Sequence, residues 1–340
     1  MEQVYMIGID LAKNSFQLHG ARADGSVAFR KKLSRAKLLD FVAAQPRCTV
    51  AMEACGGTHH WGREIGSLGH AVRLVPPIYV KAYVKRQKND ASDAEAICEA
   101  SSRPTMRFVA VKTEEQQARG MLFRTRDLLV RQRTQTINAL RGHLAEFGVI
   151  APQGPVHVGR LASALEGQAS GLPEGVRELG GLLLEQIAGL DAKIAGLERE
   201  VHVRARQDEE TRRLMSVPGI GPISAMAIQA FAPPMESFRR GRDFSAWFGL
   251  VPRQHTTGGK PKLGKISKMG QRDLRRLLIT GAMTVVRWAV RRGVTTDPWL
   301  AGMLARKPRM LVAVALANRM ARIVWALLTK KESYRAPATA

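Results

Sequence analysis

The apolar positions of this chain change period as they run. In VYMIGID (residues 4–10) they are nearly continuous up to Asp10. Two further β-prone runs follow, SFQLHGA (15–21) and SVAFRKKL (26–33), parted by the turn signal Ala23-Asp24-Gly25. The spacing then turns helical: SRAKLLDFVAAQ (34–45) predicts a helix capped by Ser34. CTVAMEA (48–54), which holds Glu53, and AVRLVPP (71–77) read as strands, with THHWGREIGSLG (58–69) as a helix between them. A meander of three strands followed by helix, strand, helix, strand and helix predicts an α/β domain.

From Thr113 the pattern becomes long-helical. Met121, Leu122, Leu129, Ile137, Leu140, Leu144 and Phe147 largely keep helical spacing until GVIAPQGPVHVG (148–159) breaks it. Val176, Leu179, Leu183, Ile187, Leu190, Ile194, Leu197 and Val201 then alternate steps of three and four, a coiled-coil seam. Such a seam serves equally for packing on the preceding helix or for dimerisation. Farther on, Pro218-Gly219-Ile220-Gly221-Pro222 divides two helical stretches. This looks like a helix-hairpin-helix, whose glycines expose backbone amides to a phosphate; a bare turn is the plain alternative. MLVAVALANRMARIVWALL (310–328) is broken by Asn318, Arg319 and Arg322, so it predicts an amphipathic core helix and not a membrane span. The domain boundaries expected from these changes are 1–112 for the α/β domain, 113–208 for the helical coiled-coil segment, 209–332 for a mainly α C-terminal domain and 333–340 for a tail.

Composition narrows the partner. Of 340 residues, 45% are hydrophobic and 24% charged, which marks a folding chain. Lys and Arg number 53 against 29 Asp and Glu, a formal net charge of +24. That points to a polyanion, most simply nucleic acid, with an anionic membrane surface as the rival. Cys48, Cys55 and Cys98 have no metal-ligand spacing and suit a reducing cytoplasm. The start, MEQVYMIGID, lacks the basic and long apolar regions of a signal peptide. Positive charge concentrates in VKAYVKRQKN (80–89), with Lys85, Arg86 and Lys88, and again in residues 251–280. There Arg253, Lys260, Lys262, Lys265, Lys268, Arg272, Arg275 and Arg276 meet one acid, Asp273. With Gly219 and Gly221, most of these are candidate nucleic-acid contacts; a solvated surface is the alternative.

The basic run 80–89 ends on two acids, Asp90 and Asp93, in KNDASDAEAI (88–97). At i and i+3 they share a helix face and can aim at one cation, although acids in a first helical turn also serve as simple caps. Asp10 in a first strand, Glu53 late in another, then Asp90 and Asp93 on a helix is an order that resembles the ribonuclease-H-like fold. In that fold the first and fourth strands are neighbours and a later helix packs beside them, so the four acids converge. Carboxylates so gathered repel unless divalent cations sit between them. Two Mg²⁺ ions about 4 Å apart would clamp the attacking and leaving oxygens of a phosphodiester, and Mn²⁺ can substitute.

Five blocks in one order, GIDLAKNSFQ, AMEACGG, KNDASDAEAI, VPGIGPISA and LVPRQHTTGGKPKLGKISKMGQRDLRRLL, resemble the DEDD-type insertion-sequence transposases, some of which are RNA-guided bridge recombinases. The resemblance implies a RuvC-like domain carrying Asp10, Glu53, Asp90 and Asp93. It also implies a coiled coil that joins protomers into a dimer or dimer of dimers, and a C-terminal domain that supplies a hydroxyl nucleophile. Counted from Pro252, Thr257 takes the place where family members often have serine; Thr256 and Ser267 are the fallbacks. The implied partners are DNA and a non-coding guide RNA, with no membrane, in a bacterial cytoplasm at the nucleoid. A RuvC-like junction-resolving nuclease using water is the nearest rival. An actin-like ATPase or sugar kinase, and a non-catalytic nucleic-acid scaffold, are more distant ones.

Overall fold

In the computed structural model, which describes residues 3–84, 90–167, 171–293 and 297–335 and only the backbone of residues 90 and 91, residues 1–115 and 116–340 form two units. In the first unit β1 (Met6–Leu11), β2 (Ser15–Ala21) and β3 (Val27–Ser34) form the expected antiparallel meander. After α1 (Leu38–Ala43) come β4 (Thr49–Glu53), α2 (Thr58–Ser67), β5 (Ala71–Val75), the short α3 (Pro77–Val80) and α4 (Asp90–Ser102). The sheet order is β3-β2-β1-β4-β5, and β1, β4 and β5 run parallel. A strand covered on both faces needs apolar residues at every position, which is why residues 4–9 do not alternate. Ile7 and Ile9 pack on one face with Val50, Met52, Leu74 and residues of α1 and α2. Met6 and Ala51 pack on the other with Ile97 and Cys98 of α4. One local expectation fails: Ser34 ends β3, and its hydroxyl caps no helix. A single 3-10 turn intervenes before α1, because the basic strand pairs with β2 out to Ser15↔Ser34.

The second unit is almost all helix. It comprises α5 (Glu114–Ala145), α6 (Val158–Glu166), α7 (Glu174–Gln207), α8 (Glu209–Met215), α9 (Pro222–Phe231) and α10 (Gly241–Trp247). A two-stranded ribbon follows, β6 (Pro252–Gln254) and β7 (Leu263–Ile266), then α11 (Arg272–Arg292), α12 (Pro298–Arg306) and α13 (Arg309–Lys330). The heptad seam of α7 is largely used inside the chain. Ile187 joins Ile137, Leu140 and Leu144 of α5 in one cluster, and Arg126–Glu198 and Arg133–Asp191 ion pairs fix the two helices antiparallel. Leu179 is the exception, 67% exposed. α13 is long and apolar enough to cross a membrane. Its buried stripe, Val312, Ala313, Leu316, Ala317, Met320, Ala321 and Val324, nevertheless lies in the main core with Phe244 of α10 and Leu278 and Ala282 of α11. It is a core helix, as its interrupting polar residues predict.

Candidate active site

β1 and β4 bring the first two acids together. Their parallel register runs from Met6↔Thr49 to Ile9↔Met52, so the next residues, Asp10 and Glu53, stand side by side at the strand ends. Adjacent strands are about 4.8 Å apart. Since Ile9 and Met52 face α1 and α2, alternation turns Asp10 and Glu53 to the α4 face. The helix there is seated unusually close to the sheet. A Cβ on Gly8 would stand 2.3 Å from the Ala94 carbonyl oxygen and 2.9 Å from Cys98 Cβ. Only glycine admits that approach, and it sets Asp93, one residue before Ala94, beside the strand ends.

Electrostatics registers the meeting. Burial, and then the negative charge of Asp93, push the Glu53 carboxyl above its ordinary range. The chain just past Glu53 is pinned by Thr58, whose hydroxyl lies 2.9 Å from both the Glu53 and Cys55 carbonyl oxygens and accepts the Cys55 N–H at 2.9 Å. Sequence reading missed Thr58; its only signal is a threonine at a helix start after Gly56-Gly57. Asp90 opens α4 one turn before Asp93, and its carboxylate lies outside the described residues. Among the described side chains no three histidine, cysteine or carboxylate groups gather as a ready metal cage.

The C-terminal candidates fall in two places of the second unit. Val217 accepts the Ile220 N–H at 3.0 Å across Pro218-Gly219, and Gly219 has a φ of 89°. That is a type II turn between α8 and α9. The turn rests on α11: a Cβ on Gly281 would lie 1.9 Å from the Gly219 oxygen. Beside it Arg126, His202, Gly221, Thr280 and Thr284 line a concavity.

Residues expected as a basic loop form the β6–β7 ribbon instead. Gly258 and Gly259 both have positive φ, and Lys260 donates its N–H to the Thr257 carbonyl at 3.1 Å. This is a type I′ hairpin turn, which the Gly-Gly pair permits. Thr256 and Thr257 are exposed at the tip, with Arg253, Lys260, Lys262 and Lys265 exposed along the arms. Lys268 and Arg272 lie at the base, on the way into α11. Ser267 is also at the base, half-buried, and its hydroxyl accepts the Met269 N–H at 3.4 Å. Two glycines lock that base: a Cβ on Gly249 would be 2.0 Å from the Met269 oxygen, and one on Gly270 would be 1.9 Å from the Trp247 oxygen. Lys85, Arg86 and Lys88 lie outside the described residues.

Comparison with known proteins accounts for both halves. Residues 7–148 match the family model of DEDD transposases of the IS110 type, and residues 211–295 that of the transposase IS116/IS110/IS902 family. A probable family 20 transposase of Pseudomonas aeruginosa is 50% identical over 97% of this chain and 98% of its own length. The transposase for insertion sequence element IS1328 of Yersinia enterocolitica is 42% identical over 97% and 98%. That for IS1111A of Coxiella burnetii is 39% identical over 99% and 93%. The chain belongs to the IS110/IS116 family of insertion-sequence transposases.

The transposase's donor set suits a hard divalent cation. Asp10, Glu53 and Asp93 offer only oxygen atoms, the ligands Mg²⁺ and Mn²⁺ take. A cation there would also offset the Asp93 repulsion that, after burial, raises the Glu53 pKa. The residues present therefore fit such an ion.

Proposed function

We propose that this transposase breaks and rejoins DNA strands by phosphodiester transfer, with Asp10, Glu53, Asp90 and Asp93 holding divalent metal and a C-terminal hydroxyl as nucleophile. The observation that carries the reading is the side-by-side placement of Asp10 and Glu53 on the α4 face, with Asp93 felt by Glu53. Bound Mg²⁺ would stabilise charge on the attacking and leaving oxygens. Gly8 and Thr58 keep the carrying elements at their spacing. Thr257 is the nucleophile in this reading. Its exposure at the ribbon tip leaves the hydroxyl open to a strand, whereas Ser267 is engaged at the base. The attack joins the Thr257 oxygen to phosphorus and releases a DNA 3′ or 5′ oxygen, so the bond energy is conserved for rejoining.

The turn between α8 and α9 is read as a helix-hairpin-helix that holds phosphates through the amides around Gly219 and Gly221. Lys85, Arg86, Lys88, Arg253, Lys260, Lys262, Lys265, Lys268 and Arg272 neutralise backbone charge in the same reading. A structured guide RNA, a homo-oligomer and a cytoplasmic site of action complete it. They rest on the family resemblance and on the net charge of +24.

The test is cleavage of DNA carrying the element's ends. Asp10→Asn, Glu53→Gln and Asp93→Asn should each lose cleavage by several orders of magnitude while keeping fold and most DNA binding. Normal cutting in Mg²⁺ by Asp10→Asn would sink the metal reading. Thr257→Val should abolish recombination and Thr257→Ser should keep it, with trapped DNA on a peptide spanning His255 to Lys260 by mass spectrometry. Full activity in Thr257→Val transfers the role to Thr256, Ser267 or water.

A further inference from the structure

Sheet register places two more polar residues in line with the acids. Asp10 pairs with Gln17 of β2, and Gln17 pairs with Lys32 of β3. Directly opposed residues in a sheet share a face. The rung therefore reads Lys32, Gln17, Asp10, Glu53 across four strands, all on the α4 side, from the free edge inward. Lys32 is exposed and Gln17 half-buried. The neighbouring cations are differently employed: Arg30 is paired with Glu95 of α4 at 3.0 Å, and Lys31 points to the opposite face, 4.7 Å over the Phe41 ring. The Arg30–Glu95 pair ties the edge strand to the helix that carries Asp93, so Lys32 keeps a set position relative to the acids.

We propose that Lys32, with Gln17 beside it, binds the phosphate backbone of the DNA strand that enters the acid site, a few nucleotides from the scissile phosphate. Two strand spacings put the Lys32 Cα about 10 Å from that of Asp10. That distance spans a few phosphates at most, so the contact falls within a few nucleotides. An ammonium at that place attracts the polyanion that the carboxylates, before they bind cations, repel. Gln17 between them is neutral, and its amide can donate to a phosphate oxygen without adding charge.

This inference rests on the metal-site reading, and the experiment separates the two. With the full chain and a mixed-sequence DNA duplex in Mg²⁺, lysine acetylation is read by mass spectrometry with and without DNA. Lys32 should be protected and Lys31 should not. Lys32→Gln should reduce the slope of log affinity against log salt by about 0.9, the share of one neutralised phosphate. Lys31→Gln should leave the slope unchanged, and Lys32→Arg should restore it. Equal protection of both lysines, or an unchanged slope in Lys32→Gln, overturns the proposal and makes the edge an ordinary solvated surface. Asp10→Asn, run beside them, reports on the metal reading alone: retained cutting defeats that reading whatever Lys32 does, and lost cutting with unprotected Lys32 defeats only this one.

Discussion

Glu53 is the residue whose surroundings make a solution-measurable difference without any reaction. Burial and the charge of Asp93 raise its carboxyl pKa. A carboxyl with a raised folded-state pKa stabilises the fold while protonated, below its ordinary value near 4.5, and loses that contribution as pH rises through the raised value. In metal-free protein the contribution of Glu53 to stability should therefore grow as pH falls from neutral through that raised pKa, read as the difference between wild type and Glu53→Gln. Glu53→Gln should remove this part of the pH dependence and melt at least as high as wild type at pH 7. Mg²⁺ should raise the wild-type melting temperature and leave that of the variant unmoved. Melts in chelator and in Mg²⁺ at several pH values decide it; a Glu53→Gln protein less stable than wild type in chelator would show that the carboxylate is not strained. The acids themselves were legible because carboxylates in a cationic chain stand out by type and spacing. Lys32 and Gln17 were not, because strand register is a tertiary property and leaves no mark on either residue's neighbours in sequence.

At the scale of elements, the close seat of α4 on β1 is the controlling contact. Gly8→Ala would drive a methyl into the Ala94 carbonyl and Cys98, backbone atoms with nowhere to retreat. The expected cost is about 1–3 kcal/mol, with α4 lifted and cleavage reduced although no acid has changed. Thermal melting and cleavage assays check it, and wild-type behaviour in both would mean that α4 is free to slide. The strands β1 and β4 of the first unit were predictable because burial on two faces dictates continuous apolar runs. The β6–β7 ribbon was missed because Arg253, Gln254, Leu263, Gly264 and Lys265 are all exposed, so no apolar alternation marks it. The seam of α7 carried a true periodic signal that could not name its partner. Ile137, Leu140 and Leu144 of the same chain share a cluster with its Val176, Leu183 and Ile187.

For the whole molecule, the net charge of +24 predicts binding that weakens steeply with salt. Replacing Lys260, Lys262 and Lys265 together by glutamine should flatten the log–log salt slope by roughly 0.9 for each phosphate no longer neutralised, with little change in melting temperature because all three are exposed. An unaltered slope would show that the ribbon lies off the DNA path. Mechanically, this ribbon is a lever whose fulcrum includes two contacts of backbone on backbone. Where Gly249 meets Met269 and Gly270 meets Trp247 there are no side chains to slip, repack or trade for others. A tip mounted on such contacts should keep a constant throw. In the proposed reading, such an arm does not adjust its reach to each new DNA sequence, so discrimination among targets is exercised before the strand arrives at the tip.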